Sequence, residues 1–312
     1  MILTALALVA LTQPSFDCAK AHSPLEKIIC TDPKLAAADR KMADAYRAAL
    51  SRVSPDGRQA LRDGQRQWLA MIDTYCTPQK ADEARSCLET EYDERNTRLA
   101  KAIYRGGGLT IRAVDVYRLD KVADPSDTNG SHGGYLTTDF SYPQIDAPKS
   151  EAERRFNLYL QDQAKAVKGE EGSDLDLDFD DLAAAPQLIS VELTSGFYAH
   201  GMPHAQYSSH AVHWLLPDGR PLKASDVFKL GMPWQALLRA RCFADVKQYG
   251  FIKAEKDLAG MVEDPQDWSF GPTGLTVNFD SYEVASYADG QPEVLIPWSD
   301  LRAYLAPHAP VP

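Results

Sequence analysis

The chain has 312 residues, of which 44% are hydrophobic and 25% charged, and 33 Lys and Arg stand against 44 Asp and Glu for a formal net charge of −11. This is a globular composition, which excludes wholesale disorder and collagen-like or channel-like chains. The excess of acid excludes nucleic acid as a partner of the whole protein, because phosphate contacts need a cationic surface. The acid is unevenly placed: residues 15–105 carry 16 basic and 14 acidic side chains, residues 106–312 carry 17 and 30.

Residues Ile2 to Thr12 form an apolar run that is too short to span a bilayer, which takes ~20 such residues. It suits the core of a secretory signal peptide over residues 1–14, and the missing basic flank implies a start further upstream. No stable membrane insertion is expected once that segment is cleaved. Four of the five cysteines, Cys18, Cys30, Cys76 and Cys87, fall in one segment as two close pairs. In an exported chain this reads as a disulfide framework, whereas zinc sites use shorter C-x2-C spacings. Three connectivities are open, and local pairing, Cys18–Cys30 and Cys76–Cys87, is favoured. Cys242, among Leu237, Leu238 and Phe243, reads as a buried free thiol.

From Pro33 to Tyr104 the apolar positions follow helical spacing. Leu35, Met42, Tyr46 and Val53 share a face, and Ser54-Pro55-Asp56-Gly57 reads as a break. A second helix carries Leu61, Gln65, Trp68 and Ile72; a third carries Leu88, Tyr92, Leu99 and Ile103. Short connections predict antiparallel neighbours with the cysteines at one end. Trp68 and Tyr92, at helical period, read as core.

The run Phe16-Asp17-Cys18-Ala19-Lys20-Ala21, then Glu26, Ile29-Cys30, Leu35, Asp39 and Tyr46, resembles the N-terminal domain of the LprI-type lysozyme inhibitors. Gln65-x-x-Trp68-Leu69, Cys76, Cys87-Leu88, Tyr92 and Arg95 continue that pattern. The resemblance covers residues 15–104 and implies a small, disulfide-stapled helical domain of the cell envelope, linked to resisting lysozyme.

Gly106-Gly107-Gly108 reads as a linker. After it, Leu109–Ala113 and Val114–Leu119 alternate as strands, Asp124–Gly134 is a polar loop, and Tyr135–Ile145 is again extended. Ser150 and Glu153 form a capping box before a helix with Phe156, Leu160, Ala164 and Val167. Gly169–Asp181 holds seven acids and no base. Asp174, Asp176 and Asp178 imitate an EF-hand, but Phe179 replaces its turn glycine and Ala185 its last ligand, so a solvated loop or charged edge strand is expected. Ile189, Val191 and Leu193 form a strand, Gly196–Gln206 a loop, and Ser208–Leu216 the return strand. A helix from Pro233 to about Tyr249, strands over 274–279 and 294–298, and a helix over 299–305 complete an α+β region with a mainly antiparallel sheet.

Tyr142-Pro143-Gln144-Ile145, Gly201-x-x-His204, Asp218-Gly219-Arg220-Pro221-Leu222, Asp226-Val227-Phe228 and Ile296-Pro297-Trp298 together resemble the extracytoplasmic region shared by RsiV and PdaC. This resemblance covers residues 109–306. In RsiV such a domain binds lysozyme, so it implies a muramidase partner without signalling or deacetylation.

The sequence thus divides into a helical bundle over 15–105, a glycine linker, an α+β domain over 109–306 and a tail. It lacks G-x-S-x-G, H-E-x-x-H, Walker and dinucleotide patterns, so no catalytic residue and no cofactor is assigned. His200 with His204, or His210 with His213, could begin a metal site, but three convergent ligands are not evident and no metal is assigned. The expected function is an exported, periplasmic or otherwise extracytoplasmic inhibitor that binds lysozyme or another cationic muramidase, steered by its acidic surface. The loop residues Tyr198, His200, Met202 and His204 are the candidate contacts. A cell-wall enzyme or peptidoglycan-binding accessory is the alternative reading.

Overall fold

A computed structural model describes residues 13–122 and 134–311. The apolar run Ile2–Thr12 and nearly all of the polar loop expected at Asp124–Gly134 lie outside the described residues. Four helices open the described chain: α1 (Pro24–Thr31), α2 (Pro33–Leu50), α3 (Pro55–Tyr75) and α4 (Ala81–Lys101). The first three begin with proline, whose missing N–H costs nothing in a first turn. Ser23, Asp32 and Ser54 cap them. Ser54-Pro55-Asp56-Gly57 is therefore the start of α3 rather than only a break, with Ser54 Oγ accepting from the Gly57 N–H at 3.0 Å. The disulfides are Cys18–Cys30 and Cys76–Cys87, the second closing the connection between α3 and α4. Trp68 and Tyr92 are buried edge to face at 5.1 Å.

The glycine run expected as a linker is a turn. Strand β1 (Ile103–Gly106) pairs antiparallel with β2 (Leu109–Lys121), with Gly106 opposite Leu109. Gly107 and Gly108 both have positive φ, 59° and 80°, as a tight two-residue hairpin requires. The helices thus run straight into the sheet. Strands β3 (Tyr135–Ile145), β4 (Ser173–Ala184), β5 (Leu188–Ala199), β6 (Gln206–Leu215) and β7 (Arg220–Pro221) complete seven strands in sequence order. Among the described strands only β3 and β4 are parallel, and α5 (Glu151–Ala166) makes the crossover that parallel neighbours need. It starts at the expected capping box and buries Phe156, Leu160 and Ala164.

Residues 169–172 of the acidic stretch form the connection from α5, and the remainder is neither loop nor edge. It supplies β4, the fourth strand of seven, paired on both sides. Leu177 and Phe179 enter the core, while Asp178 meets Arg98 and Lys101 of α4 at 3.8 and 3.2 Å. Cations from another element make the acid tolerable at the centre of the sheet. Beyond β7 come α6 (Ala224–Val227), α7 (Trp234–Val246), and an antiparallel sheet of β8 (Trp268–Phe270), β9 (Gly274–Asn278) and β10 (Glu293–Pro297), then α8 (Trp298–Leu301). This part has its own core, which includes the free thiol of Cys242. Among the described residues no helix is long and apolar enough to cross a membrane.

One core joins the helices to the large sheet: Leu35, Trp68, Ile72 and Leu88 cluster with Ile111, Phe140 and Ile189. Helix α3 lies so close to β2 that a Cβ on Gly64 would stand 3.0 Å from the Asp115 carbonyl oxygen. Through this contact runs a buried ion pair. Arg95 Nη1 donates to Asp115 Oδ2 at 2.5 Å and to Tyr117 Oη at 3.1 Å, and Arg95 Nε and Nη2 both donate to Gln65 Oε1. Ser141 Oγ donates to the other Asp115 oxygen at 2.8 Å. Burial alone would raise the Asp115 pKa, but the charge and hydrogen bond of Arg95 hold it below the ordinary value. Arg95 and Gln65 belong to the LprI-like pattern: Arg95 reaches Asp115 across the module boundary, and Gln65 holds Arg95 from the neighbouring helix.

Removing one member of a buried pair strands the other, at a cost of about 3–5 kcal/mol. Arg95→Met should therefore lower unfolding free energy by that amount in urea titrations. Arg95→Met with Asp115→Leu should recover most of it, since the apolar replacement leaves no buried charge. A double variant no more stable than Arg95→Met would contradict this account.

Candidate functional site

A cleft of ≈ 540 Å³ opens where α3 and α4 overhang strands β3 to β6. Its walls carry five carboxyl groups, Glu91 and Glu94 from α4, Asp139 from β3, and Asp174 and Asp176 from β4, and no Lys or Arg. Alternation along β4 puts Asp174, Asp176 and Asp178 on one face of the sheet. Helical spacing puts Glu91 and Glu94 one turn apart on α4. Met71 and Tyr75 of α3 form the back wall; Tyr198 and Tyr207 of β5 and β6 stand opposite.

One end of this acidic row is neutralised. Arg98 bonds Asp139, and Lys101 Nζ lies 3.2 Å from Asp178 and 2.9 Å from Asp180. The other end is not. Burial raises Glu91 to about 7; the hydrogen bond with Tyr75 offsets part of this, and Glu94 and Asp139 add to it. Asp176 is raised to about 6, first by burial and then by Asp139. Glu94 is raised by the same two causes against Arg98. Like charges sharing poorly solvated space resist joint ionisation. At the floor, Asp174 Oδ1 accepts from Thr137 N at 2.7 Å and Thr137 Oγ1 at 3.0 Å.

The candidate contact residues separate. Gly196–Ala199 belong to β5, not to a loop, because Gly196 and Phe197 pair with Tyr207 and Gln206. The connection is the short turn 200–205, in which Met202 N–H donates to Ala199 O at 3.0 Å. Tyr198 lines the cleft. The His200 side chain is only 4% exposed, behind Asp174 at 3.5 Å. His204 lies outside the cleft lining and stacks on Tyr287 at 4.1 Å. Sequence reading missed Glu91 and Glu94, whose acids sit on an ordinary charged helix face. Asp174 and Asp176 were visible as an alternating row but not as a wall.

A second cavity of ≈ 980 Å³ includes Ser190 and His213. These residues face each other in register across β5 and β6. Ser190 Oγ and His213 Nδ1 are 2.8 Å apart, and His213 Nε2 lies 2.8 Å from the Trp268 carbonyl. Burial lowers the imidazole to about 4. It is neutral at pH 7, donating to Trp268 and accepting from Ser190. So weak a base does little to activate a hydroxyl, and the pair acts as a polar bridge between the two sheets. Among the described residues no three His, Cys, Asp or Glu side chains converge as metal ligands.

The geometry defines a disulfide-stapled helical module fused to an α+β region, with an acidic cleft at the seam. Residues 18–99 match the family described as "Lysozyme inhibitor LprI", and residues 225–299 match "Protein of unknown function (DUF3298)". The family matched in the C-terminal half is thus DUF3298; the likeness to the RsiV and PdaC region remains a resemblance. No curated protein matches the chain. A DUF3298-family crystal structure from Bacteroides fragilis is similar at 18% identity, covering 66% of this chain and 96% of that one with a TM-score of 0.43. A second, from Pseudomonas aeruginosa PAO1, has 13% identity, coverage of 65% and 97%, and the same TM-score of 0.43.

A carboxyl group raised in the folded state favours folding below its unfolded pKa, and the advantage is lost as pH rises through the folded value. For Glu91 that window runs from the ordinary 4.5 to about 7. Glu91→Gln should therefore raise Tm by a few degrees at pH 8 and leave it nearly unchanged at pH 4. Equal shifts at both pH values would show that the cleft charge is not the cause.

Proposed function

We propose that the chain is an extracytoplasmic, non-catalytic protein that binds and inhibits lysozyme-like muramidases through the acidic cleft. The observation that carries this reading is the position of the LprI match. The matched residues 18–99 include Met71, Tyr75, Glu91 and Glu94, which form the helical wall of the cleft. A water-poor, negatively charged recess attracts a cationic protein over long range and rewards correct docking at short range. Two disulfides fit an oxidising compartment outside the cytoplasm.

The carboxyl groups argue for binding over glycoside hydrolysis. That chemistry needs one carboxyl kept protonated and another kept ionised, so their environments must push the pKa values apart. Here Glu91, Glu94 and Asp176 are all pushed upward.

The test is inhibition of a cationic lysozyme acting on cell-wall suspensions, with pull-down at low and high salt. Inhibition with binding that weakens at high salt is expected, because partly exposed charges are screened. Absence of binding at micromolar protein and low salt would sink the proposal. Release of sugar by the protein alone would overturn its non-catalytic part.

A further inference from the structure

We propose that the turn 229–233 is a contact for a lipid surface: Leu230 and Met232 enter a bilayer, and a rim of cations docks on its anionic headgroups. This contact goes beyond the inhibitor reading above and does not depend on it. The turn joins α6 to α7, and all five of its residues are exposed. Leu230, at 87%, is the most exposed large apolar side chain among the described residues, and Met232 is 37% exposed. Gly231 between them has φ 75°, a left-handed geometry that reverses the chain at the tip. A Cβ built there would meet nothing within 4 Å, so the tip stands clear of the fold.

The base beneath the tip is fixed. Lys229 N–H donates to the Tyr304 carbonyl at 2.8 Å, and Phe228 forms a β-bridge with Leu305. Phe228 and Trp234, one on either side of the turn, stack at 4.6 Å within the second core. A recess of ≈ 430 Å³ is walled by these two rings together with Leu230 and Met232. The turn thus holds its apolar side chains outward on a firm support, and their contact with water is a free energy that burial elsewhere recovers.

Charge selects the occupant. Residues 106–312 carry 17 basic against 30 acidic side chains, yet the bare charges around this turn are cations. Lys223 stands just before α6, Lys229 opens the turn, and Arg302 follows α8; all three are exposed. Lys229 Nζ donates to the Ala303 carbonyl at 2.9 Å, which places Arg302 beside the tip. Among the described residues none of the three forms a salt bridge, and the neighbouring acids are taken. Asp226 accepts from both Arg220 Nη atoms, at 2.7 and 2.9 Å, and Asp300 is paired with Arg241. An apolar tip ringed by cations fits an interface where acyl chains receive the leucine and phosphates the bases. A protein interface buries about 800 Å² per partner, more than a single turn presents.

The experiment floats the whole protein with phosphatidylcholine vesicles, and with vesicles in which a third of the lipid is phosphatidylglycerol, at low and high salt. Binding is expected to the anionic vesicles alone, and it should fall at high salt. Leu230→Ser should weaken it about tenfold, and Lys229→Gln with Arg302→Gln about twentyfold, with folding checked by circular dichroism. Tryptophan fluorescence of Leu230→Trp should be quenched by lipids brominated along their acyl chains, more strongly than that of the wild type. No binding to anionic vesicles, equal binding to neutral ones, or folded variants that bind as well as the wild type each overturn the proposal. A dimer that Leu230→Ser dissolves also overturns it, because a second copy then covers the tip.

Discussion

The Arg95–Asp115 pair decides how the chain is assembled. A guanidinium with no solvent exposure must have its charge and its donors met on the spot. They are met by Asp115 and Tyr117 of the sheet and by Gln65 of the neighbouring helix. The helices therefore cannot slide or rotate over β2 without exposing an unpaired charge. Gly64 sets the distance and the pair sets the register. Ser54 repeats the device at the other end of α3, where its N–H and hydroxyl donate to Asp146 beyond the end of β3. Stapled helices and acidic sheet form one body because their polar groups are shared as well as their core.

The same seam explains the uneven charge. The N-terminal module is close to neutral in sum, but it spends Arg95, Arg98 and Lys101 on carboxylates of the sheet. Its own Glu91 and Glu94 are left to face Asp174 and Asp176 across open space. Neutralisation at one end and crowding at the other give the cleft its polarity. Net charge counts cannot show this, because pairing across modules rearranges which acids remain bare.

Much of this was legible in the residues. Helical spacing located α2 to α4, the Ser150–Glu153 box started α5, and the cysteine spacing favoured the local pairs without excluding the other two connectivities. What failed did so for stated reasons. Gly106-Gly107-Gly108 satisfied both a linker and a hairpin, and the strand before it was hidden in the helical period of Leu99 and Ile103. The acidic row looked incompatible with a central strand because its cations lie some eighty positions earlier in the chain, a separation that pattern reading does not cross. Tyr198, singled out as an aromatic near glycines, lines the cleft. That His200 would lie covered by Asp174 was not legible, because nothing local in the chain signals it. Glu91 could not be singled out, being one acid among many on a helix whose burial depends on the sheet below.

The Cys76–Cys87 bond has a consequence for where the cleft can exist. It follows Tyr75 directly and precedes Glu91 by one helical turn, so it joins the two helices at the wall that holds the highest carboxyl. A chain still in a reducing compartment would lack this covalent closure between the ends of α3 and α4. The wall of the cleft would then be held by packing and hydrogen bonds alone. How firmly Glu91 is set against the other crowded acids would thus depend on the redox state of the chain.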